Sequence, residues 1–534
     1  MGLLLLGGVC VLAYVLYRFL LFPAFISPLA KVPTAHWTCS VSSLWILYKR
    51  LKAEQNTTVL AAHRKHGDVV RLGPTELSVN CVENGYKTVY SGPFDKDDYY
   101  RFFDNFGVQC MFSTPKSQPH SALRRFISQI YSKTNIHHSP VIAAQSRIIL
   151  YHRFLPLLDG FATSPPPGGV DIYSLFQAFG FDTVSAFYLG MQCSTNFLQD
   201  TRMRERWRER FLARAPYAAC FHELPNMVWL LRTLGVRIMP KEVEEGAVVL
   251  DDMVRQWYQR TLRFMSSNTL GRYENPEDVP LALSAILSGW RKEQESENSK
   301  IEPQKLHDPE PFILSELADN LAAGYETTGI TMTYISWHLA REPELQEKIR
   351  EELRTLRPAL FYPQRMVDGE SCEHILPDAK ALDTLPLVDA VIKETLRLHG
   401  AVPGGQPRVV PKSGCQIGLY KNIPRGTRVA SSAYVLHRNP AIFPQPEHWD
   451  PCRWLDDDVE GAKARDQWFW AFSSGPRTCV GKNFAFHELK TMMAAVLTNY
   501  KVHVVSDDGI EQQDGHTKGP KANAIYLGFS RVDC

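Results

Sequence analysis

The 534-residue sequence contains eleven cysteines, but it has no CxxC pair and no regular cysteine spacing. Disulfide frameworks belong to short secreted chains, and structural zinc sites need closely spaced Cys or His pairs, so both are disfavoured. The net charge of +2 gives no argument for nucleic acid as a partner. Internal repeats, low-complexity segments and a GxGxxG dinucleotide fingerprint are also missing from the sequence. What remains is an ordinary globular composition, 44% hydrophobic and 22% charged, whose cysteines are expected to be reduced and mostly buried.

The N-terminal residues 1–26 form an apolar run interrupted only by Arg18. A membrane-spanning helix needs about 20 apolar residues, and an arginine near one end can reach the headgroups. A cleaved signal peptide is the alternative, but such peptides usually begin with basic residues, whereas Arg18 and Lys31 come late. These cations place the body on the cytosolic side by the positive-inside rule. We predict a single-pass anchor (1–26), a proline-containing connector (27–34) and a folded body (35–534).

Hydrophobic patterns predict a mainly α-helical body with a small β-sheet region. Residues 68–80 suggest two short strands around a Gly–Pro turn, and residues 401–437 suggest a small sheet. The clearest helix runs from about Pro311 to Glu342 and has an apolar centre of small residues, which suits a core position. Residues 266–300 contain polar stretches and are predicted to form a surface connection. Residues 227–231, Met-Val-Trp-Leu-Leu, are either part of a core helix or a second contact with the bilayer.

One cysteine, Cys479, lies in a loop with two glycines and a proline, and an apolar helical pattern begins just after it. A thiol at a helix N-terminus meets the positive end of the dipole and unpaired N–H donors, which lower its pKa. The resulting thiolate is the form that metal ligation or nucleophilic catalysis requires. An inert core thiol and a cysteine hydrolase are the alternatives, although residues 472–481 supply no histidine to act as a base.

This loop resembles the haem-binding loop of the cytochrome P450 family. Five residues carry the pattern Phe-x-x-Gly-x-Arg-x-Cys-x-Gly: Phe472, Gly475, Arg477, Cys479 and Gly481. The resemblance extends over roughly residues 35–530 and is strongest to the fungal, endoplasmic-reticulum type of secondary metabolism. It implies the cytochrome P450 fold, haem b as cofactor, these loop residues as cofactor-binding groups, and Cys479 as the axial ligand of the haem iron.

A second motif, in the middle of the predicted long helix, resembles the family's oxygen-activation segment. Its residues are Ala323, Gly324, Glu326 and Thr327. Small residues let dioxygen approach the iron, and the Thr327 hydroxyl can bond back to the carbonyl of Ala323 and open the helix locally. Glu326 is a plausible proton source. The alternative is a threonine pair that acts like an N-cap, beside a surface glutamate.

A third motif, Glu394-x-x-Arg397, places both side chains on one helical face. The resemblance adds Arg453 from a Pro-x-Arg-aromatic segment and implies a buried structural triad that braces the haem loop. Cys452 stands where the family often has glutamate, which leaves the triad intact.

The two propionates of a haem need cations or strong donors. The resemblance implies four residues for this role: His120, Arg124, Arg408 and Arg477. The family more often has tryptophan at the position of His120. The neighbouring Arg125 is expected to point elsewhere.

The resemblance implies a monooxygenase that inserts one atom of O2 into a lipophilic small molecule. Electrons would come from an NADPH–cytochrome reductase in the endoplasmic reticulum membrane, docked near Arg125 and Lys482. Two alternatives stay open: a peroxide-using or rearranging haem-thiolate enzyme, and a non-enzymatic haem-binding sensor or electron carrier. Aromatic residues in the variable loop 94–119 suggest a bulky or aromatic substrate, whose identity the sequence does not define.

Overall fold

Helices dominate the computed structural model, which describes residues 2–268, 273–301, 307–362, 375–456 and 458–532. The α-helices span Gly2–Leu16, Leu44–Leu51, Gln55–His66, Lys87–Ser91, Ser117–Ile127, Lys133–His138, Pro140–Ile148, Leu155–Thr163, Ile172–Leu189, Thr201–Ala213, Ala218–Glu223, Pro225–Thr233, Lys241–Ser267, Leu281–Gln294, Glu310–Ala340, Pro343–Leu353, Ala379–Leu382, Pro386–Leu398, Ala433–Leu436, Val459–Trp468 and Lys482–Asn499. The prediction of a mainly α-helical body is confirmed.

Within the described ranges, ten short strands form three small sheets. They are β1 (Val69–Gly73), β2 (Glu76–Val79), β3 (Asp95–Lys96), β4 (Val170–Asp171), β5 (Arg408–Val409), β6 (Cys415–Ile417), β7 (Tyr420–Ile423), β8 (Arg428–Ala430), β9 (Tyr500–Ser506) and β10 (Tyr526–Arg531). The sheet orders are β1-β2-β8-β5-β3, β4-β10-β9 and β6-β7. The antiparallel pair β1–β2 confirms the strands expected around the Gly–Pro turn. Residues 401–437 do contain strands, but β5 and β8 join β2 and β3 in the larger sheet, because their pairing partners are distant in sequence.

The long helix Glu310–Ala340, here called the central helix, agrees closely with its predicted limits. It crosses the core against helix Ile172–Leu189. An added Cβ at Gly180 would lie 2.6 Å from the carbonyl oxygen of Gly324, and one at Gly324 would lie 2.7 Å from Val184. The two glycines therefore allow close helix packing, which larger residues would prevent.

The prediction of a surface connection over residues 266–300 is wrong for residues 281–294. Helix Leu281–Gln294 lies there and buries Leu283, Ile286 and Trp290 in the main core. The Trp290 ring stacks on Phe312 of the central helix at 4.6 Å. Polar residues at 274–278, before this helix, and at 291–294, in its last turn, conceal its apolar face in the sequence.

Residues 227–231 form part of helix Pro225–Thr233 and not part of a core helix. Val228 is buried, whereas Trp229 is 68% exposed and Leu230 is 50% exposed. The prediction of a core segment is therefore wrong, and the outward apolar side chains stay consistent with a bilayer contact.

The apolar N-terminal run is helical from Leu4 to Ile26 and exposed as far as Leu21, while Pro23 is buried against the body. It is the one helix among the described residues that is long and apolar enough to cross a membrane. The segment after it docks onto the body. Leu29 and Val32 are buried in the core beside the five-stranded sheet, and the Arg71 side chain donates to the carbonyl oxygen of Pro23 at 2.9 Å. The predicted connector is thus packed along its length.

Candidate active site

Cys479 lies at the end of a tight loop that leads into helix Lys482–Asn499. Its N–H donates to the carbonyl oxygen of Phe472 at 3.0 Å, which closes the loop. Gly475 adopts a φ of +68°, and an added Cβ there would lie 2.1 Å from the Tyr90 carbonyl oxygen, so a side chain cannot be accommodated. Gly481 is the N-cap of the helix, where an added Cβ would lie 3.9 Å from the Cys479 sulfur. The loop motif thus fixes one thiol at a helix N-terminus.

The Cys479 side chain is accessible to solvent, yet the surrounding protein still disfavours its charge. Burial raises the pKa of the Cys479 thiol, while the N–H groups of Gly481 and Lys482 and the guanidinium of Arg124 act in the opposite direction. The expected lowering of the pKa is therefore wrong for the polypeptide alone, because desolvation outweighs the helix terminus. A bound metal cation would reverse this balance, since a coordinating thiol is deprotonated by the metal.

Two predicted arginines are tied to the backbone around this loop. The Arg124 Nη1 donates to the carbonyl oxygen of Thr478 at 2.8 Å. The Arg477 side chain donates to the carbonyl oxygens of Thr114 and Pro115 at 2.6 and 2.8 Å. His120 is buried one turn before Arg124 on helix Ser117–Ile127. Arg125 points away from this group, as expected, and lies 3.4 Å from Glu293 at the surface.

Lys96 joins these cations and was missed in the sequence. Lys96 on strand β3 lies directly opposite Arg408 on the antiparallel strand β5. Its ammonium donates to the Phe112 carbonyl oxygen and lies 4.1 Å from the Tyr100 ring centroid. Tyr100 in turn accepts a hydrogen bond from Arg408 at 3.2 Å. The backbone N–H of Lys96 donates to the Pro115 carbonyl oxygen at 3.2 Å, which also accepts from Arg477 of the cysteine loop at 2.8 Å. Burial lowers the pKa of Lys96 well below its usual value, with Arg408 and Arg477 acting in the same direction and Asp319 of the central helix acting against them. No local motif marks Lys96.

Five basic side chains form a group that we call the basic cluster, in which the imidazole of His120 is neutral. They are Lys96, His120, Arg124, Arg408 and Arg477. Within the described residues, none lies within 4.0 Å of a carboxylate oxygen. Burial and the nearby cations Arg408 and Arg124 lower the pKa of Arg477 to about 10, and burial together with the arginines and Lys96 lowers that of His120 to about 2. A dianionic group such as the two propionates of a haem fits this cluster, and a single cysteine sulfur fits its iron.

The middle of the central helix is less buried than the turns on either side of it. Ala323 is exposed, Ala322 and Gly324 are half-buried, and Leu321 and Tyr325 are buried. The Thr327 hydroxyl donates to the Ala323 carbonyl oxygen at 2.9 Å, which is the predicted back-bond. Gly324 follows Ala323 by one residue and therefore faces a different side of the helix, where it lies against Val184. Its lack of a side chain serves helix packing and not access for a small ligand.

Two carboxyl groups on the same side of the central helix have raised pKa values. Burial raises the pKa of Glu326 to about 7, with Lys518 acting against the rise. Burial, with repulsion from Glu316, raises the pKa of Asp319 to about 8. Glu326 is half-buried, so the alternative of a surface glutamate is wrong. Both groups can carry a proton near neutral pH.

The three residues of the predicted structural triad come together. Glu394 accepts from Arg397 at 2.8 and 2.9 Å and from the Arg453 Nε at 3.0 Å. Glu394 and Arg397 are buried, and Arg397 also donates to the carbonyl oxygen of His437 at 3.0 Å. His437 accepts from the backbone N–H of Trp470 at 2.7 Å, which links the triad to the residues before the cysteine loop.

The helical fold, the loop that holds the Cys479 thiol and the basic side chains without carboxylate partners fit a haem-binding protein with a cysteine ligand. The family whose description is "Cytochrome P450" matches residues 34–524, and the chain belongs to this family. Similar proteins include the cytochrome P450 monooxygenase hkm5 of Aspergillus hancockii, 26% identical over 95% of this chain and 92% of that protein. The cytochrome P450 monooxygenase BOT4 of Botryotinia fuckeliana is 25% identical over 93% and 86%. A cytochrome P450 monooxygenase of Aspergillus terreus is 28% identical over 89% and 90%.

Membership of this family makes the protein a haem-thiolate monooxygenase that uses haem iron and O2. The family generally acts on lipophilic substrates with a redox partner, and the exposed N-terminal helix fits a membrane-bound member.

Proposed function

We propose that the protein hydroxylates, or oxidises in a related way, a lipophilic small molecule in secondary-metabolite biosynthesis. The observation that carries the proposal is the basic cluster, which lies between the Cys479 loop and the central helix and lacks neutralising carboxylates. That arrangement suits a flat cofactor with two acidic groups and one sulfur ligand. The fungal origin of the similar monooxygenases supports the metabolic assignment.

The proposed roles follow from position. Cys479 is the iron ligand, and Phe472, Gly475 and Gly481 shape its loop. The five basic residues hold the propionates of haem b. When bound, the haem supplies the redox chemistry that activates O2, and thiolate ligation favours O–O cleavage.

The central helix contributes the residues that hold and transfer protons. Ala323 leaves room at the helix surface, and Thr327 holds a hydroxyl there through its bond to the Ala323 carbonyl. Glu326, with its pKa raised to about 7, holds a proton one residue away. A proton donor works best when its pKa lies near the working pH. These residues are therefore the proposed route by which protons reach the oxygen site.

Electrons are proposed to come from an NADPH–cytochrome reductase in the endoplasmic reticulum membrane, with the body in the cytosol. Exposed apolar side chains on segments beside the anchor support membrane contact. Trp37 is 81% exposed, Leu44 lies on the neighbouring helix Leu44–Leu51, and Leu419 is 92% exposed in the β6–β7 hairpin, which packs against residues 28–31. These side chains would enter the interface when residues 4–26 span the bilayer.

The first experiment is the carbonyl difference spectrum of the reduced, full-length protein. Cys479→Ala should abolish the thiolate-type spectrum, while Cys452→Ala, which changes an exposed cysteine near Arg453, should leave it unchanged. Survival of the spectrum in Cys479→Ala would refute the ligand assignment.

The second experiment separates the mechanisms in reconstituted membranes. Turnover that needs both NADPH and reductase supports the proposal. Turnover with peroxide alone would favour the peroxide-using alternative. A protein that shows a haem spectrum but takes up no oxygen with any lipophilic ligand tested would favour a sensor or electron carrier.

A further inference from the structure

Lys96 is the lysine of the basic cluster, and contacts of its backbone fix its place. Its N–H donates to the Pro115 carbonyl oxygen at 3.2 Å, and the Arg477 guanidinium donates to the same oxygen at 2.8 Å. On the neighbouring strand β5, Arg408 is the residue directly opposite Lys96. Two arginines from different parts of the chain therefore lie beside one lysine.

The Lys96 side chain is buried, and aromatic rings enclose its ammonium. The residue is 6% exposed. Its Nζ lies 3.7 Å from the ring centroid of Phe112 and 4.1 Å from that of Tyr100. Within the described residues, the Phe112 carbonyl oxygen is the one hydrogen-bond acceptor of this ammonium. An ammonium has three N–H donors, so two of them have no acceptor.

The charged groups that face this ammonium do not balance its charge. Arg408 and Arg477 add positive charge, and Asp319 of the central helix acts in the opposite direction. Burial and the neighbouring Glu316 raise the pKa of Asp319 to about 8, however, so this carboxyl carries its proton at neutral pH. A cation thus lies among cations without a carboxylate.

The other titratable groups near Lys96 are uncharged. Burial raises the pKa values of the Tyr100 phenol and the Cys110 thiol, so both keep their protons. Burial also lowers the pKa of His120 to about 2 and that of His516 to about 3, so both imidazoles are neutral. None of these four groups supplies a counter-charge.

These surroundings favour the neutral amine of Lys96. Desolvation and repulsion from like charges both disfavour a buried ammonium, and they lower the pKa of Lys96 well below its usual value. A carboxylate nearby reverses this balance, because an opposite charge stabilises the protonated form. The two propionates of a haem are such groups, and the basic cluster is their proposed place.

We infer that Lys96 takes up a proton from solvent when haem enters the site and returns it when haem leaves. The bond that forms or breaks is one N–H bond of the ammonium, and water supplies or receives the proton. Through this residue, haem is held more tightly as the pH falls. The inference rests on the proposed function, since it needs the propionates to lie in the basic cluster.

The test measures how the full-length holoenzyme shares its haem with apomyoglobin at equilibrium, from about pH 6 to about pH 9. The absorption spectra of the two haem proteins give the partition constant for the wild type and for Lys96→Met. Their ratio isolates Lys96, because the acceptor protein and ligation by Cys479 are common to both measurements. The ratio of wild type to Lys96→Met should fall as the pH rises, by up to about ten-fold per pH unit.

Two further variants separate proton exchange from the loss of a donor. Lys96→Arg keeps a cation that does not lose its proton, so the wild type should lose haem relative to Lys96→Arg as the pH rises. If Lys96→Met retains no haem, this comparison decides the test. Lys116→Met removes an exposed lysine paired with Asp95 at 2.7 Å, and its ratio to the wild type should be the same at every pH.

A ratio of wild type to Lys96→Met that does not change with pH would overturn the inference, because Lys96 would then contribute to haem retention without exchanging a proton. Failure of the proposed function looks different. In that case the wild type would lack the carbonyl spectrum and would hold no haem to share, whereas a failed inference leaves that spectrum intact.

Discussion

The hydroxyl of Thr328, the residue after Thr327, donates a hydrogen bond to the Glu488 Oε2 at 2.9 Å. Glu488 follows Cys479 by nine residues and belongs to helix Lys482–Asn499, so the pair joins the cysteine helix to the central helix. Beside it lies a cavity lined by Thr183 and His487, large enough for roughly one water molecule. Burial raises the pKa of Glu488 to about 8, with the hydroxyls of Thr328 and Thr183 acting against the rise.

This pair predicts a fall in stability with pH. The pKa of Glu488 is raised from 4.5 to about 8 on folding. Its contribution is therefore complete below the unfolded pKa and is lost as the pH rises to about 8. Between pH 5 and pH 9, this carboxyl should lower the free energy of unfolding of the wild type by about 3 kcal/mol. Urea unfolding of Glu488→Gln should show a pH dependence that is smaller by this amount. The exposed Glu460→Gln is the control, and parallel curves for Glu488→Gln and the wild type would contradict the assignment.

The carboxyl of Glu326 predicts a pH limit on coupling. Its pKa is raised to about 7, so the protonated donor disappears as the pH rises through that value. Product formed per NADPH should fall over the same range. Glu326→Gln should lower turnover by about 100-fold and remove this inflection. An inflection that persists in Glu326→Gln would assign the titration to another group.

We predict that replacing Lys96 raises the stability of the haem-free protein but weakens the retention of haem. Without haem, its repulsion from Arg408 and Arg477 opposes folding, so Lys96→Met should raise the melting temperature of the haem-free protein. With haem, loss of a charge-assisted hydrogen bond should weaken cofactor retention by about 1.5–3 kcal/mol. The control is Lys116→Met, which removes an exposed lysine paired with Asp95. Equal haem retention in both variants would remove Lys96 from the cofactor site.

From the hydrogen bonds of Arg71 we predict that the anchor is rigidly joined to the body. Its buried guanidinium donates to the carbonyl oxygens of Pro23, Leu29 and Pro74 at 2.9, 3.3 and 2.7 Å. Arg71→Met would leave these acceptors unsatisfied, at a cost of about 1–3 kcal/mol for each one that stays buried. Limited proteolysis of the membrane-bound protein should then cut within residues 27–34. Cleavage there at the same rate in wild type, or in the exposed control Arg64→Met, would show that the connector is already open.

The local motifs were predictable because their meaning lies in short spacings. The turn residues around Cys479, the back-bond from Thr327 to Ala323 and the Glu394–Arg397 pair all follow from positions within one loop or one helical turn. The central helix was predictable for the same reason, since apolar period and terminal prolines are local signals.

The wrong predictions share one cause, which is that burial depends on partners distant in the chain. Helix Leu281–Gln294 was included in a predicted surface connection because polar stretches flank it, and its apolar face is buried only by partners in the core. Gly324 was assigned to the oxygen side, but its neighbour is Val184 of another helix. The thiol of Cys479 was expected to ionise readily, but desolvation by the surrounding fold outweighs the helix terminus.

The sequence by itself determined the class of chemistry, because one loop specifies a single thiol at a helix N-terminus, and an apolar run specifies a membrane helix. Tertiary structure alone brought Lys96 to Arg408 and Thr328 to Glu488. These pairs are separated by more than 150 residues in the chain, and charge or hydrogen bonding between them arises only when packing excludes water. The sequence therefore indicates the cofactor, whereas the place of Lys96 beside Arg408 and the buried contact between Thr328 and Glu488 became visible only in the folded chain.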